Sequence, residues 1–234
     1  NKFHVNWSGV YDLVTQEDAT GSVFSSMMPM LLLIFLFSGC MAVAPESIAG
    51  EKERGTIATL LITPAKRGSI ALGKIMALSV IALLAGASSA IGTILSLPKL
   101  MGAAADQLTV TYGAGDYLLL GVVILSTVLL LITLISIISA FAKSVKEAQT
   151  YVTPLMILVI LVGVTAMFGS GAKTELYYYL IPVYNSVQCM VGIFAFSASP
   201  VLILTAVAAN LVVTGLGVFL LTRMFNSERI MFSR

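Results

Sequence analysis

The sequence predicts an all-α, polytopic helical membrane protein with five full spans and a re-entrant outer helical hairpin. Three observations carry that expectation. Hydrophobic residues make up 58% of the 234 and charged residues only 10%, whereas a soluble domain is about 25% charged. The charges are clustered, leaving uncharged blocks at 19–45, 75–98, 117–142, 148–172 and 176–222. Each of the first four is long enough for the ~20 residues that cross a ~30 Å hydrocarbon core. Ten of the thirteen Lys and Arg fall on alternate connections, as the positive-inside rule requires. Such a composition excludes an ordinary soluble enzyme, a disordered chain and a nucleic-acid binder.

The elements follow in order. Residues 1–20 are expected to be the end of an extracellular segment, and 21–234 a transmembrane domain. The first span is placed at about 22–44 and is followed by a cytoplasmic loop, 46–74, which holds Lys52, Arg54, Lys66, Arg67 and Lys74. Pro64 stops a short helix in this loop, and Ser69 is the expected cap of the second span, 75–97, which Pro98 and Lys99 close. The third span is placed at 117–141, and a short turn with Lys143 and Lys146 leads to the fourth, 149–169, ended by Gly169 and Gly171. Ser199-Pro200 reads as an N-cap with proline at the first helical position, opening the last span at 200–222 before a tail with Arg223, Arg229 and Arg234.

The 47-residue block 176–222 has room for two crossings. Two crossings would put the basic tail outside, so 176–198 is expected to dip in and return on the outer side. Pro182, Asn185 and Gln188 interrupt its apolar run, and Tyr177, Tyr178, Tyr179 and Tyr184 suit a membrane interface. The rival is a full span with an inverted tail. The tyrosines with Pro182, Asn185 and Gln188 are either an outer gate or an aromatic belt.

Chemistry is marked as much by what is missing. The only histidine, His4, lies outside every apolar run, and Cys40 and Cys189 lie inside them, so no metal or catalytic constellation is legible. No span carries Asp, Glu, Lys, Arg or His, the usual marks of an ion path. Ser126, Thr127, Thr133, Ser136, Ser139 and Asn210 supply neutral polarity, expected to hydrogen-bond between helices or back onto their own. An apolar or amphipathic substrate fits this lining better than a hydrophilic ion. Small residues at Gly86 to Ala90 with Gly92, and at Gly215 and Gly217, allow close helix approach, within the bundle or in a dimer.

The loop is the densest feature. Glu46 to Arg54 alternates charge sign, and Ile57, Leu60 and Leu61 share one face of a short helix, suited to a groove on a soluble partner or to the membrane interface. Glu51 and Arg54 are spaced to pair locally. The run Gly50-Glu51-Lys52-Glu53-Arg54-Gly55-Thr56, then Leu60-Leu61-Ile62-Thr63-Pro64, then Arg67, Ile70 and Gly73-Lys74 resembles the type-2 ATP-binding-cassette exporter permeases. Their loop reads GE-x-E-x-GT, then LL-x-[ST]P-x-x-R and GK. The resemblance is strongest to the branch with the NatB-like sodium exporters, as Ile181-Pro182-Val183-Tyr184-Asn185 also suggests.

That resemblance implies a permease subunit of an ATP-driven exporter in a prokaryotic cytoplasmic membrane, not itself an enzyme. Its partners would be a separate ATP-binding-cassette ATPase subunit, which brings ATP and Mg, and a second permease copy, as a homodimer. The loop helix would be the coupling helix, with Glu46, Glu51, Glu53, Arg54, Thr56, Leu60 and Leu61 making or orienting the ATPase contact. Tyr179, Pro182, Tyr184, Asn185 and Gln188 would form the outer gate or re-entrant segment. The family's first span has no counterpart here, and the chain starts at Asn1 without a legible signal peptide, so upstream sequence is expected. No phosphate loop is present: Gly68 and Gly73-Lys74 have the spacing, but Ile75 stands where Ser or Thr is needed. The alternatives are a non-transporting membrane scaffold and, remotely, an intramembrane protease, for which the zinc-ligating histidines are lacking. Sodium, peptides, drugs and lipid-like molecules all remain possible substrates.

Overall fold

A computed structural model describes residues 16–56, 66–101, 114–168 and 171–227. The described residues form six α-helices and one 3₁₀ turn: α1 (Gln16–Glu53), α2 (Arg67–Met101), α3 (Ala114–Phe141), α4 (Val145–Phe168), the 3₁₀ turn Leu176–Leu180, α5 (Tyr184–Phe194) and α6 (Pro200–Phe225). Five of them, α1 to α4 and α6, are long and apolar enough to cross a membrane.

Helix α1 packs on α2, α3, α4 and α5, and α3 and α6 form a second close pair. Of the five long helices, α3 is the most enclosed and α4 the least; the short α5 is buried along nearly its whole length. Helices α1 and α2 run antiparallel through small residues. A methyl group at Gly39 would sit 3.0 Å from the Ala82 carbonyl oxygen, and one at Gly86 2.9 Å from Leu36 Cδ2. Helices α3 and α6 run parallel: Ser126 meets Asn210, and about two turns further on Thr133 meets Gly217. Gly86 and Gly217 therefore serve packing within the bundle, while no described atom lies within 4 Å of a methyl group placed at Gly215.

Several boundaries differ from expectation. Helix α1 starts at Gln16 and continues through Pro45 to Glu53, a 38-residue helix about 57 Å long. Pro45 removes one backbone donor, which a long helix packed on its neighbours tolerates. Glu46, Glu51 and Glu53 are consequently helical residues and not part of a loop spanning 46–74. Ser69 cannot cap the second span, because α2 starts at Arg67 and the Lys66 carbonyl already accepts from the Ser69 and Ile70 N–H groups. Helix α2 also continues past Pro98 to Met101. Pro200 does occupy the first turn of α6, but Ser199 makes no side-chain capping bond. Ile57, Leu60 and Leu61, expected to share a face of a short loop helix, lie outside the described residues, as do Arg229 and Arg234.

The ends of the helices sort by charge. The C-terminal end of α1, the start of α2, the α3–α4 turn and the C-terminal end of α6 gather at one end of the bundle: Lys74 reaches Ser47, Lys52 reaches Ala140, and Gly68 lies beside Thr222. This end carries Lys52, Arg54, Lys74, Lys143, Lys146 and Arg223. The start of α6 lies at the other, and the 3₁₀ turn ends well inside it, with the Tyr179 carbonyl 3.4 Å from Asn185 Nδ2 beside the middle of α6.

Candidate functional site: a charged clasp and a buried amide cluster

Two constellations stand out. The first is at the basic end. Arg54 Nη1 donates to Glu46 Oε1 at 2.5 Å, with both side chains about half exposed (55% and 53%). The pair bridges two helical turns over Gly50, where an added methyl would lie 3.1 Å from Glu46 Oε1 and 3.2 Å from Arg54 Nη2. This hydrogen bond raises the Arg54 guanidinium further above its ordinary value. Glu51 does not pair with Arg54. It takes Lys74 of α2, at 2.5 Å, in a more sheltered bridge (13% and 26% exposed). Lys74 Nζ also donates to the Ser47 carbonyl at 3.1 Å and to Ser47 Oγ at 3.2 Å. Gly55, at φ 73, ends α1 in the left-handed conformation that favours glycine, and Thr56 Oγ1 donates back to the Glu51 carbonyl at 3.3 Å.

The neighbouring residues reach further. Lys52 Nζ donates to the Ala140 carbonyl at 3.0 Å, at the end of α3. Glu53 Oε2 accepts the Val145 N–H at 3.0 Å, the first residue of α4. A cation thus sits at the negative end of one helix dipole and an anion at the positive end of the next. Ser144 Oγ accepts the Glu147 N–H at 3.2 Å, and Glu147 Oε2 accepts the Lys143 N–H at 2.7 Å. This is a variant of the capping box, and its S-x-x-E spacing at Ser144 to Glu147 is legible in the sequence. Charge blocks alone start this helix at 149 and pass over the signal. Ala49, Ala142 and Ala148 are fully buried beneath the clasp, where small side chains let α1 approach the turn.

The second constellation is buried among α3, α5 and α6. Asn185 Nδ2 lies 2.9 Å from Asn210 Oδ1, 3.1 Å from the Ala206 carbonyl and 3.4 Å from the Tyr179 carbonyl. Asn210 Nδ2 donates to Ser186 Oγ at 3.0 Å and to Ser126 Oγ at 3.4 Å. Ser186 Oγ donates to Asn185 Oδ1 at 3.1 Å. Thr127 Oγ1 lies 2.8 Å from Ser186 Oγ and 2.7 Å from the Val123 carbonyl, its one proton serving either. Asn210 is about 15 Å along α6 from Pro200, well inside a ~30 Å core. All these groups are satisfied by one another, which a polar group at that depth requires. By contrast, the hydroxyls of Ser136, Ser139 and Thr214 have no partner among the described residues, and Thr133 bonds back to the Leu129 carbonyl.

The outer residues expected from sequence cluster here. Tyr179 is buried and donates its hydroxyl to the Lys173 carbonyl at 2.8 Å, while the Lys173 N–H donates to Gln188 Oε1 at 2.9 Å. The Tyr178 ring lies between those of Tyr177 and Tyr184, tilted by 38° and 45°, with centroids 4.1 and 5.7 Å away. A hydrogen bond to Tyr178 pushes the Tyr177 phenol up to about 12. Pro182 is half-buried in the turn before α5. Val183 follows at φ 70, a strained conformation for a β-branched residue, with its side chain buried. Ser126, Thr127, Ser186 and Asn210 complete the cluster without having been singled out with Asn185. Among the described residues no group of three or more His, Cys, Asp or Glu is placed to hold a metal.

The sequence matches the family described as "ABC-2 family transporter protein" over residues 8–225. It is 33% identical over 180 residues to the ABC transporter permease protein NatB of Bacillus subtilis (strain 168), covering 73% of this chain and 45% of that protein. The chain thus spans less than half the length of that relative. No solved structure matches. The span pattern, the motif end of α1 and this match agree: the chain belongs to the ABC-2 family of transporter proteins, as a multi-pass membrane protein.

Proposed function

We propose that the chain moves substrate outward across the cytoplasmic membrane by alternating access, driven by a separate ATPase subunit that binds ATP and Mg, with a second copy of the chain completing the pathway. The observation that carries this reading is the anchoring of the Gly50–Thr56 motif. Its side chains grip α2, α3 and α4 at the basic end, so a load applied to the following loop would reach the whole bundle. Glu46, Glu51, Glu53, Arg54 and Thr56 then orient the docking segment that contains Leu60 and Leu61, rather than all contacting the ATPase themselves.

The segment 176–198 acts as the re-entrant outer gate. Helix α5 has 11 residues, about 16 Å, half of what a crossing needs. Its first residues bond Asn210 and Ala206, deep in α6, which supports a turn at depth and a return outward. Tyr179, Pro182, Tyr184, Asn185 and Gln188 belong to this one unit. The uncharged blocks that form the spans favour a substrate that enters from lipid and carries little formal charge.

Co-expression with ATP-binding-cassette ATPases and purification in nanodiscs tests the central claim. A stably associated ATPase whose coupling falls in Glu51→Ala is expected. Absence of any associated ATPase overturns the reading. External labelling of a single cysteine at Ser233 would overturn the re-entrant topology.

A further inference from the structure

We infer that Lys52 and Glu53 are positioning residues that fasten the α3–α4 turn to the end of α1, making α3 the rod that links the motif to the buried amide cluster. The inference rests on the coupling reading above for what moves the motif, but not for the fastening. Four observations converge. Consecutive residues take opposite ends of two helices: Lys52 the Ala140 carbonyl of α3, Glu53 the Val145 N–H of α4. Both contacts run to backbone, so they fix the turn itself and not a mobile side chain. Ala49, Ala142 and Ala148 form a separate, fully buried patch under them, which removes slack between α1 and the turn. Ser144 and Glu147 cap α4 from within, so the turn is held as one piece.

The consequence follows from α3. This helix is continuous from Ala114 to Phe141, with Ala140 at its clasped end and Ser126 and Thr127 in the amide cluster. From Ala140 to Thr127 is about 20 Å of helix. A shift of α1's end carries Ala140, and α3 transmits it through Thr127 to Ser186 of α5 and through Ser126 to Asn210 of α6. Conversely, freeing the turn leaves α1 able to move without α3.

The fastening is tested on the full chain in nanodiscs by hydrogen exchange of amides 143–147. Glu53→Ala is expected to speed exchange at Val145 about fivefold, the loss of one cap. Glu53→Gln, which keeps an acceptor oxygen, is expected to restore most of the protection, and Lys52→Arg to resemble wild type where Lys52→Met does not. Unchanged exchange in both Glu53→Ala and Lys52→Met overturns the fastening, provided the amides of α2 remain protected as a check on folding. Transmission is tested with an associated ATPase. Spin labels at Lys146 and Tyr177 should report a distance change on trapping with ATP and vanadate, and that change should be lost in the Lys52→Met/Glu53→Ala double variant. A change of equal size in the double variant overturns transmission. If no ATPase associates, the coupling reading fails and takes transmission with it, while the exchange experiment still decides the fastening.

Discussion

The Asn185 side-chain amide donates to Asn210 Oδ1 at 2.9 Å, joining a short buried helix to the middle of a spanning one. Both residues are almost completely buried, and the rest of their polar capacity is met by Ser126, Ser186, Tyr179 and Ala206. Truncating one asparagine leaves the other short of a partner, which costs about 1–3 kcal/mol. Asn210→Ala and Asn185→Ala are each expected to fall in that range in an unfolding titration in mixed micelles. Interhelical hydrogen bonds in membranes couple by ~0.6 kcal/mol on average and at most ~1.7. The double-mutant cycle is expected at the upper end, because the amides face each other directly. A coupling near zero would place the stabilisation elsewhere in the cluster.

The two ion pairs on α1 are expected to differ in strength. Glu51–Lys74 is sheltered and Lys74 also holds Ser47, whereas Glu46–Arg54 is open to water. Removing Glu51 leaves a partly buried ammonium with only the Ser47 carbonyl and hydroxyl, at a cost of about 1–2 kcal/mol. Exposed pairs contribute little and are screened by salt. Glu51→Ala should therefore lower the thermal midpoint clearly, and Glu46→Ala should not. Raising salt from low to near-molar should erase any effect of Glu46→Ala while leaving most of that of Glu51→Ala.

The division between what the sequence discloses and what it hides is itself physical. Charge-free blocks locate all five long helices, because the bilayer core imposes a length on any apolar stretch. They misplace the ends where helices leave the membrane. Glu46 to Glu53 carries charge and follows Pro45, so it looks like a loop, yet α1 continues because its side chains find partners on α2, α3 and α4. Local spacing suggested Glu51 with Arg54. The fold instead offers Lys74 to Glu51, a choice only tertiary structure makes. Asn185 and Asn210 were each visible as polar residues in apolar runs. Their meeting, with Ser126 and Ser186, depends on the parallel packing of α3 and α6, which no periodicity encodes.

Val183 gives a test that reverses an ordinary ranking. At a buried position with ordinary backbone, glycine is worse than alanine by about 1 kcal/mol, from lost apolar contact and added chain entropy. Val183 holds φ 70, where alanine is strained and glycine is not. Both substitutions lose the buried valine surface, but Val183→Gly should be at least as stable as Val183→Ala. Thermal unfolding in one detergent compares them directly. If Val183→Ala proves clearly the more stable, the strained turn ahead of α5 is not a property of the folded chain.

Gly215 and Gly217 separate packing from helix propensity on a single helix. A methyl group at Gly217 would collide with Thr133 Cγ2, whereas none of the described atoms lies within 4 Å of one at Gly215. Thr133 has little freedom to turn away, because its hydroxyl is bonded to the Leu129 carbonyl at 2.7 Å. Gly217→Ala should thus force α3 and α6 apart and destabilise by about 1–3 kcal/mol. Gly215→Ala adds a methyl group to an open face and removes backbone entropy, so it should be neutral or stabilising by up to about 1 kcal/mol. Thr133→Ser deletes the colliding methyl while keeping the hydroxyl bond, and should rescue Gly217→Ala while doing little alone. The same unfolding titration measures all four proteins. Failure of that rescue would mean the α3–α6 contact does not set the cost at Gly217.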